Sequence, residues 1–262
     1  MKILLAGDSW GIGVFKTHNS IYGPTGEGIH TLLEAQGHTV INISKGGGSN
    51  YLMVDRLNGQ WGPTGRCLFG VEPNLKIDID FDNIDYIIFL QTDIFREQHY
   101  YGKQYLTDTD TNWKILKQEF VDSLIQYDSI DHIINSYFQN FYKDLNNIGR
   151  EHNKKVLMIG GWNQLHPSII DYSNLIPVVY SATKILIPEL TEDCYLSDPE
   201  WYSQLANDSE FMQKFGNEFK QMTVTNATKL DLIYRNWNEV HPNIQGYEIL
   251  AKKISKYLLW NK

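Results

Sequence analysis

The sequence predicts a three-layer α/β/α sandwich, in which a mostly parallel five-stranded sheet is covered by helices on both faces. Three observations predict it. Short apolar runs bounded by Gly, Asn or Asp read as buried parallel strands. They alternate with stretches of helical periodicity in the order β-α-β-α-β-α-β. The motifs richest in chemistry fall just after strand ends, where loops of such sheets converge on a site.

The first strand is the run Lys2-Ile3-Leu4-Leu5-Ala6, closed by Gly7. Further strands are expected at Thr39–Ile43, Tyr86–Leu90, Lys155–Ile159 and Ile176–Tyr180. Between them, helices are expected over Gly28–Gln36, Tyr51–Leu57, Asn112–Gln126, Ile130–Glu151 and Asp208–Gln221, with a last one from Ile244 to Leu259. Within the fourth, Phe138, Phe141, Tyr142 and Leu145 share one face, which predicts burial against the sheet. The stretch Asn58–Asp82 is rich in Gly, Pro and Asp and reads as a long loop near the site. Asp171–Trp201 mixes aromatic residues with prolines and reads as part of a lid or rim. No internal repeat interrupts this order, and one domain over residues 1–262 with loop insertions near 58–82 and 171–201 is the expected organisation.

Composition narrows the function classes. Hydrophobic residues are 42% and charged residues 21% of the 262, ordinary for a globular chain. The net charge is −8, and no Lys/Arg run is long enough to follow a phosphate backbone, so no nucleic-acid partner is expected. The two cysteines, Cys67 and Cys194, lack metal-ligand spacing, and neither a metal nor an organic cofactor is expected. No 18 apolar residues run together, which speaks against a transmembrane helix and a membrane partner. The strand-like start, without a basic, apolar and small-residue leader pattern, predicts a cytoplasmic protein or a phage-encoded, virion-associated component.

Gly7-Asp8-Ser9-Trp10 follows the first strand without a spacer, which puts Ser9 on a tight turn among backbone N–H groups. Asp-Ser also makes ordinary turns and helix caps. Near the other end, Glu239-Val240-His241-Pro242-Asn243 precedes Gly246-Tyr247 and an apolar helical stripe, a place where a histidine has a set orientation and a short reach. His166 follows the fourth strand and is more simply a loop residue. Trp10, Trp61, Trp162 and Trp237 are candidates for a sugar platform, although most aromatic residues are expected in the core.

Together the two motifs resemble the SGNH/GDSL hydrolase family, whose first and fifth sequence blocks are Gly-Asp-Ser at the N-terminus and His-Pro-Asn-x-x-Gly-Tyr before a C-terminal helix. The resemblance implies a flavodoxin-like fold and a Ser-His mechanism on small acyl esters, with an O-acetyl group on a carbohydrate as the preferred substrate. It also implies that Asn42 to Asn50, with its Gly46-Gly47-Gly48, is the second block, in which Gly47 is the closest match to the glycine whose N–H faces an oxyanion. The third block, normally Gly-x-Asn-Asp, reads Leu90-Gln91-Thr92-Asp93, so Thr92 or Gln91 is the candidate side-chain donor. Arg96 beyond it is a candidate for orienting a polar substrate. The fifth block normally carries Asp three residues before His; here Asn238 stands there, with Glu239 as a minor alternative and Asp231 a remote one for orienting His241. These departures leave room for a catalytically weak carbohydrate-binding or structural module, and the strand-helix alternation alone would also suit a nucleotide binder.

Overall fold

In the computed structural model, residues 1–16, 22–24, 28–45, 48–59, 78–92, 122, 124–161, 164–186, 209–217, 237–238, 241–242 and 244–260 are described. In chain order they form β1 (Lys2–Ala6), α1 (Ser9–Ile12), β2 (Val14–Lys16), β3 (Tyr22–Pro24), α2 (Ile29–Glu34), β4 (Thr39–Asn42), α3 (Asn50–Leu57) and β5 (Tyr86–Gln91). There follow α4 (Ile130–Glu151), β6 (Lys155–Gly160), β7 (Leu175–Val179) and α5 (Ala182–Leu186). A helix α6 covers 209–217, and the chain ends in β8 (Trp237–Asn238), β9 (His241–Pro242) and α7 (Ile244–Trp260).

Five strands form one sheet in the order β4-β1-β5-β6-β7, and every pairing within it is parallel. The order is 2-1-3-4-5 by position in the chain, the doubly wound arrangement with its switch point between β1 and β5. Ile3 to Ala6, Ile87 to Phe89 and Val156 to Ile159 are wholly buried, as expected of inner strands covered on both faces. Because successive side chains alternate, Leu4, Ala6, Phe89 and Met158 enter one core layer with α3 and α4. Ile3, Leu5, Ile88 and Leu157 enter the other, with α2, α5 and α7. The three-layer sandwich of the sequence reading is therefore observed, with a five-stranded sheet that is parallel throughout.

Helix α4 shows why the pattern was legible. Ser129 caps it, accepting from the His132 N–H at 3.1 Å. Asp131 and Arg150 stand at the ends that match the helix dipole. Its face Ile130, Ile133, Ile134, Phe138, Phe141, Tyr142, Leu145 and Ile148 is buried. Gly149 is there for closeness: a Cβ would lie 2.9 Å from the Lys154 carbonyl oxygen, where the chain turns into β6. In α7 the buried face is Tyr247, Leu250, Ile254 and Leu258.

One expectation needs correction. The stretch 171–201 is not one irregular insertion: it carries β7, the fifth strand, at Leu175–Val179, followed directly by α5. The strand lies one residue before the expected Ile176–Tyr180, and Pro177 is tolerated within it because β7 is an edge strand, where one lost donor breaks no second ladder. In 58–82, Asn58 and Gly59 close α3 and Phe81–Asn83 form a 3-10 turn; residues 60–77 lie outside the described residues. So do 187–201 and, apart from positions 122 and 124–126, the helix expected at Asn112–Gln126. Among the described residues, no helix is long and apolar enough to cross a membrane.

Candidate active site

The candidate residues cluster around the switch point, at the carboxyl ends of β1, β4 and β5. Gly7 continues β1 toward its neighbours: its carbonyl accepts from the Lys45 N–H at 2.9 Å, and a Cβ on it would lie 2.9 Å from Leu90 Cβ. The chain then turns at Asp8 into α1. Asp8 is 3% exposed and caps that helix, since its Oδ1 accepts from the Trp10 N–H at 2.9 Å. Its carbonyl accepts from Gly11 at 3.0 Å. Ser9 is thereby fixed as the opening residue of α1, on the rim of the sheet.

Asp8 reaches across the switch point as well. Its Oδ2 accepts from the Thr92 hydroxyl at 2.8 Å, tying the end of β1 to the end of β5. Asn50, buried at the start of α3, holds the next link: its Oδ1 accepts from the Thr92 N–H at 2.8 Å. Its amide donates to the Thr92 carbonyl at 3.1 Å and to the Tyr137 hydroxyl at 3.0 Å. Gly48 makes the turn before α3, donating to the Lys45 carbonyl at 2.9 Å. Ser49 caps α3 by accepting from the Leu52 N–H at 3.2 Å.

His241 lies in the two-residue ribbon β8–β9, where Asn238 pairs with His241 and Trp237 with Pro242. β9 is in contact with α1, the helix that Ser9 opens, and with α7. Elements separated by most of the chain thus meet at one rim. Behind them, Tyr247 of α7 is buried, which raises its phenol well above the usual value, and the nearby Asp8 carboxylate adds to the effect. Its hydroxyl therefore stays protonated at any working pH.

Several sequence expectations change here. Thr92 was a candidate oxyanion donor, but its hydroxyl hydrogen is committed to Asp8. Gln91, the alternative, is 1% exposed; its amide nitrogen donates to the Gln164 carbonyl at 3.0 Å and its Oε1 accepts from the Tyr142 hydroxyl at 2.8 Å. Both side chains are held by the protein's own partners, because a buried polar group left unpaired costs more than one hydrogen bond returns. Trp10 is 1% exposed and belongs to the core, so it cannot serve as a sugar platform. Gly47, Glu239, Asp231, Arg96, Trp61 and Trp162 lie outside the described residues. Asp8 fills the turn-and-cap reading of Asp-Ser, while its tie to Thr92 and the task of Asn50 have a weaker signal in the sequence, a short polar residue next to a chain turn at a strand's carboxyl end.

His166 has a structural task. Its Nδ1 lies 2.8 Å from Ser168 Oγ and accepts from the Ser168 N–H at 3.3 Å, while its ring stacks on Phe138 with centroids 5.5 Å apart. Burial holds its pKa below the usual 6.5, and burial is also the largest cause of the same shift at His30. For these groups the unfolded state binds more protons, so their contribution to stability is complete above pH 6.5 and is lost as pH falls through the folded-state value. The melting temperature is therefore expected to fall between pH 7.5 and 5.5. His166→Asn, which keeps a cap acceptor without the titration, should narrow that fall; an unchanged difference counts against the assignment.

The Tyr142 hydroxyl links three segments. It accepts from the His166 N–H at 2.8 Å while donating to Gln91. Tyr142→Phe should cost about 2–4 kcal/mol, because a buried acceptor on Gln91 and a half-buried donor on His166 lose their bonds at once. Urea unfolding measures this, and a loss under 1 kcal/mol would show that the network relaxes around the gap.

No family model matches the chain, and no curated protein does. Solved structures match over nearly its whole length. One is a protein from Desulfitobacterium hafniense DCB-2 described as lipolytic and of the G-D-S-L family, at 10% identity and a TM-score of 0.41, over 97% of this chain and 98% of that one. A second is a member of the lipolytic protein G-D-S-L family from Veillonella parvula DSM 2008, at 14% identity and a TM-score of 0.36, over 98% and 97%. A phospholipase A1 from Streptomyces albidoflavus NA297 matches at 9% identity and a TM-score of 0.35, over 97% and 98%. Several matched structures carry the G-D-S-L name.

Proposed function

We propose that this chain is a serine hydrolase of carboxylic esters, with Ser9 as nucleophile and His241 as general base. The observation that carries the reading is the contact between α1, opened by Ser9, and β9, which contains His241, at the carboxyl rim of a doubly wound sheet. In the first step Ser9 Oγ attacks the ester carbonyl, His241 takes its proton and returns it to the leaving alcohol, and an acyl-serine remains. Water, deprotonated by His241, then attacks the acyl carbon, and the serine leaves with the proton restored. Products are a carboxylic acid and an alcohol.

The oxyanion is assigned to main-chain donors, the N–H of Ser9 and of Gly47, because the Thr92 and Gln91 side chains are engaged elsewhere. Asn238 is read as the group that orients His241, by accepting from its second ring N–H. Small acyl esters are the proposed substrates, with O-acetyl groups on a carbohydrate first among those to try. Purified protein should turn over p-nitrophenyl acetate, and Ser9→Ala should not.

The engaged Thr92 and Gln91 donors, with a neutral residue at Asn238, favour one other reading: a carbohydrate-binding or structural module that keeps the fold without efficient turnover. Absence of fluorophosphonate labelling together with measurable glycan binding would select it.

A further inference from the structure

The same rim carries a second feature that the Ser9 reading does not use. A cleft of about 480 Å³ opens at the carboxyl ends of β6 and β7, and its walls include Leu165, Pro167, Ile170, Tyr180 and Ile185. Gln164, Ser181 and Lys184 add polar atoms to the lining. Ile170 is 75% exposed and Tyr180 51%, so two of the five large hydrophobic side chains exposed among the described residues flank this one cleft. Single exposed apolar residues are ordinary, but two flanking one concave, mostly apolar site mark a place where apolar matter binds.

The cleft is also rigidly built. Its 164–166 wall is pinned to the end of β5 by the Gln91 bond to the Gln164 carbonyl and by the Tyr142 hydroxyl between Gln91 and His166. The Leu165 N–H donates to the Tyr180 carbonyl at 2.7 Å, closing the 164–166 segment onto the end of β7. Parallel strands lie about 4.8 Å apart, so the β6 end of the cleft is roughly 10 Å from the end of β1 and Ser9. That separation suits a substrate whose reacting carbonyl and apolar part are joined by a short span.

We propose that this cleft binds an apolar hydrocarbon segment of the ester, several carbons long, lying away from the scissile bond. The proposal rests on the Ser9 reading for its place in a reaction, and on the cleft alone for binding. The segment belongs to either the alcohol or the acyl side, and the two sources share the same chemistry at the cleft.

Ethyl acetate, octyl acetate and ethyl octanoate separate them. Burying added methylenes is favourable at each carbon, so one octyl ester is expected to show kcat/KM at least tenfold above ethyl acetate. A gain with octyl acetate assigns the cleft to the alcohol and leaves the acyl group small; a gain with ethyl octanoate assigns it to the acyl chain. Ile170→Asp, at an exposed position, should reduce that gain tenfold, with Tyr180→Ser as a second variant should the first fail to fold. Binding is measured separately on the Ser9→Ala protein by titrating 1-octanol and octanoate against its NMR spectrum, a readout that needs no turnover. Saturable binding of either, weakened tenfold by Ile170→Asp, supports the cleft even where hydrolysis is absent and the Ser9 reading fails. No saturable binding, or binding that Ile170→Asp leaves unchanged, overturns the proposal even where hydrolysis is robust.

Discussion

Ser9→Ala is expected to lower kcat for p-nitrophenyl acetate by about 10⁴-fold or more while leaving the fold intact. Removing Oγ removes the bond-forming atom, and what remains is whatever main-chain donors and binding give without a nucleophile. Ser9 opens a helix whose cap is made by Asp8, so the melting temperature should move little. His241→Ala should fall to a similar floor, and the double variant to the same floor rather than to the product of the two, because the pair acts as one unit. Steady-state rates and fluorophosphonate labelling of the three variants decide it. Hydrolysis that survives Ser9→Ala at more than a tenth of the wild-type rate removes the nucleophile from the scheme.

Asp8→Ala should cost about 2–4 kcal/mol of stability. One part is a lost helix cap, about 1 kcal/mol. The other is the Thr92 hydroxyl, 2% exposed and left without its acceptor, about 1–3 kcal/mol. For a chain of this size that corresponds to a fall in melting temperature of roughly 5–15 °C. Asp8→Asn should cost less, since its carbonyl still accepts from Trp10, while its amide turns a donor toward Thr92 and frees the threonine hydroxyl to rotate. Calorimetry on both variants checks the order. Equal melting temperatures for wild type and Asp8→Ala would mean that the strand ends are tied by other contacts.

Much of the fold was legible because its strands carry one-dimensional signals. Lys2–Ala6 and Ile130–Glu151 were bounded to the residue, the first by an apolar run ending at Gly7 and the second by a capped stripe of period 3.6. Leu175–Val179 was harder: Pro177 sits inside it, and a Pro reads as a break unless one knows that the strand lies at an edge. The two-residue ribbon β8–β9 carries too few residues for any periodicity, so only its pairing reveals it. The site divides in the same way. Ser9 and His241 stood out by local motif, whereas the tasks of Gln91, Thr92 and His166 depend on partners 73, 84 and 24 residues away.

What the sequence determined by itself was the set of layers and the residues placed at strand ends, because burial period and turn chemistry are local properties written into neighbouring side chains. What only the tertiary structure decided was which polar group each of those residues satisfies. A hydroxyl or an amide is chemically able to serve a substrate or the protein, and the choice falls to the donor or acceptor that folding brings within 3 Å. For Thr92 that partner is the Asp8 carboxylate, and for Gln91 the Gln164 carbonyl and the Tyr142 hydroxyl.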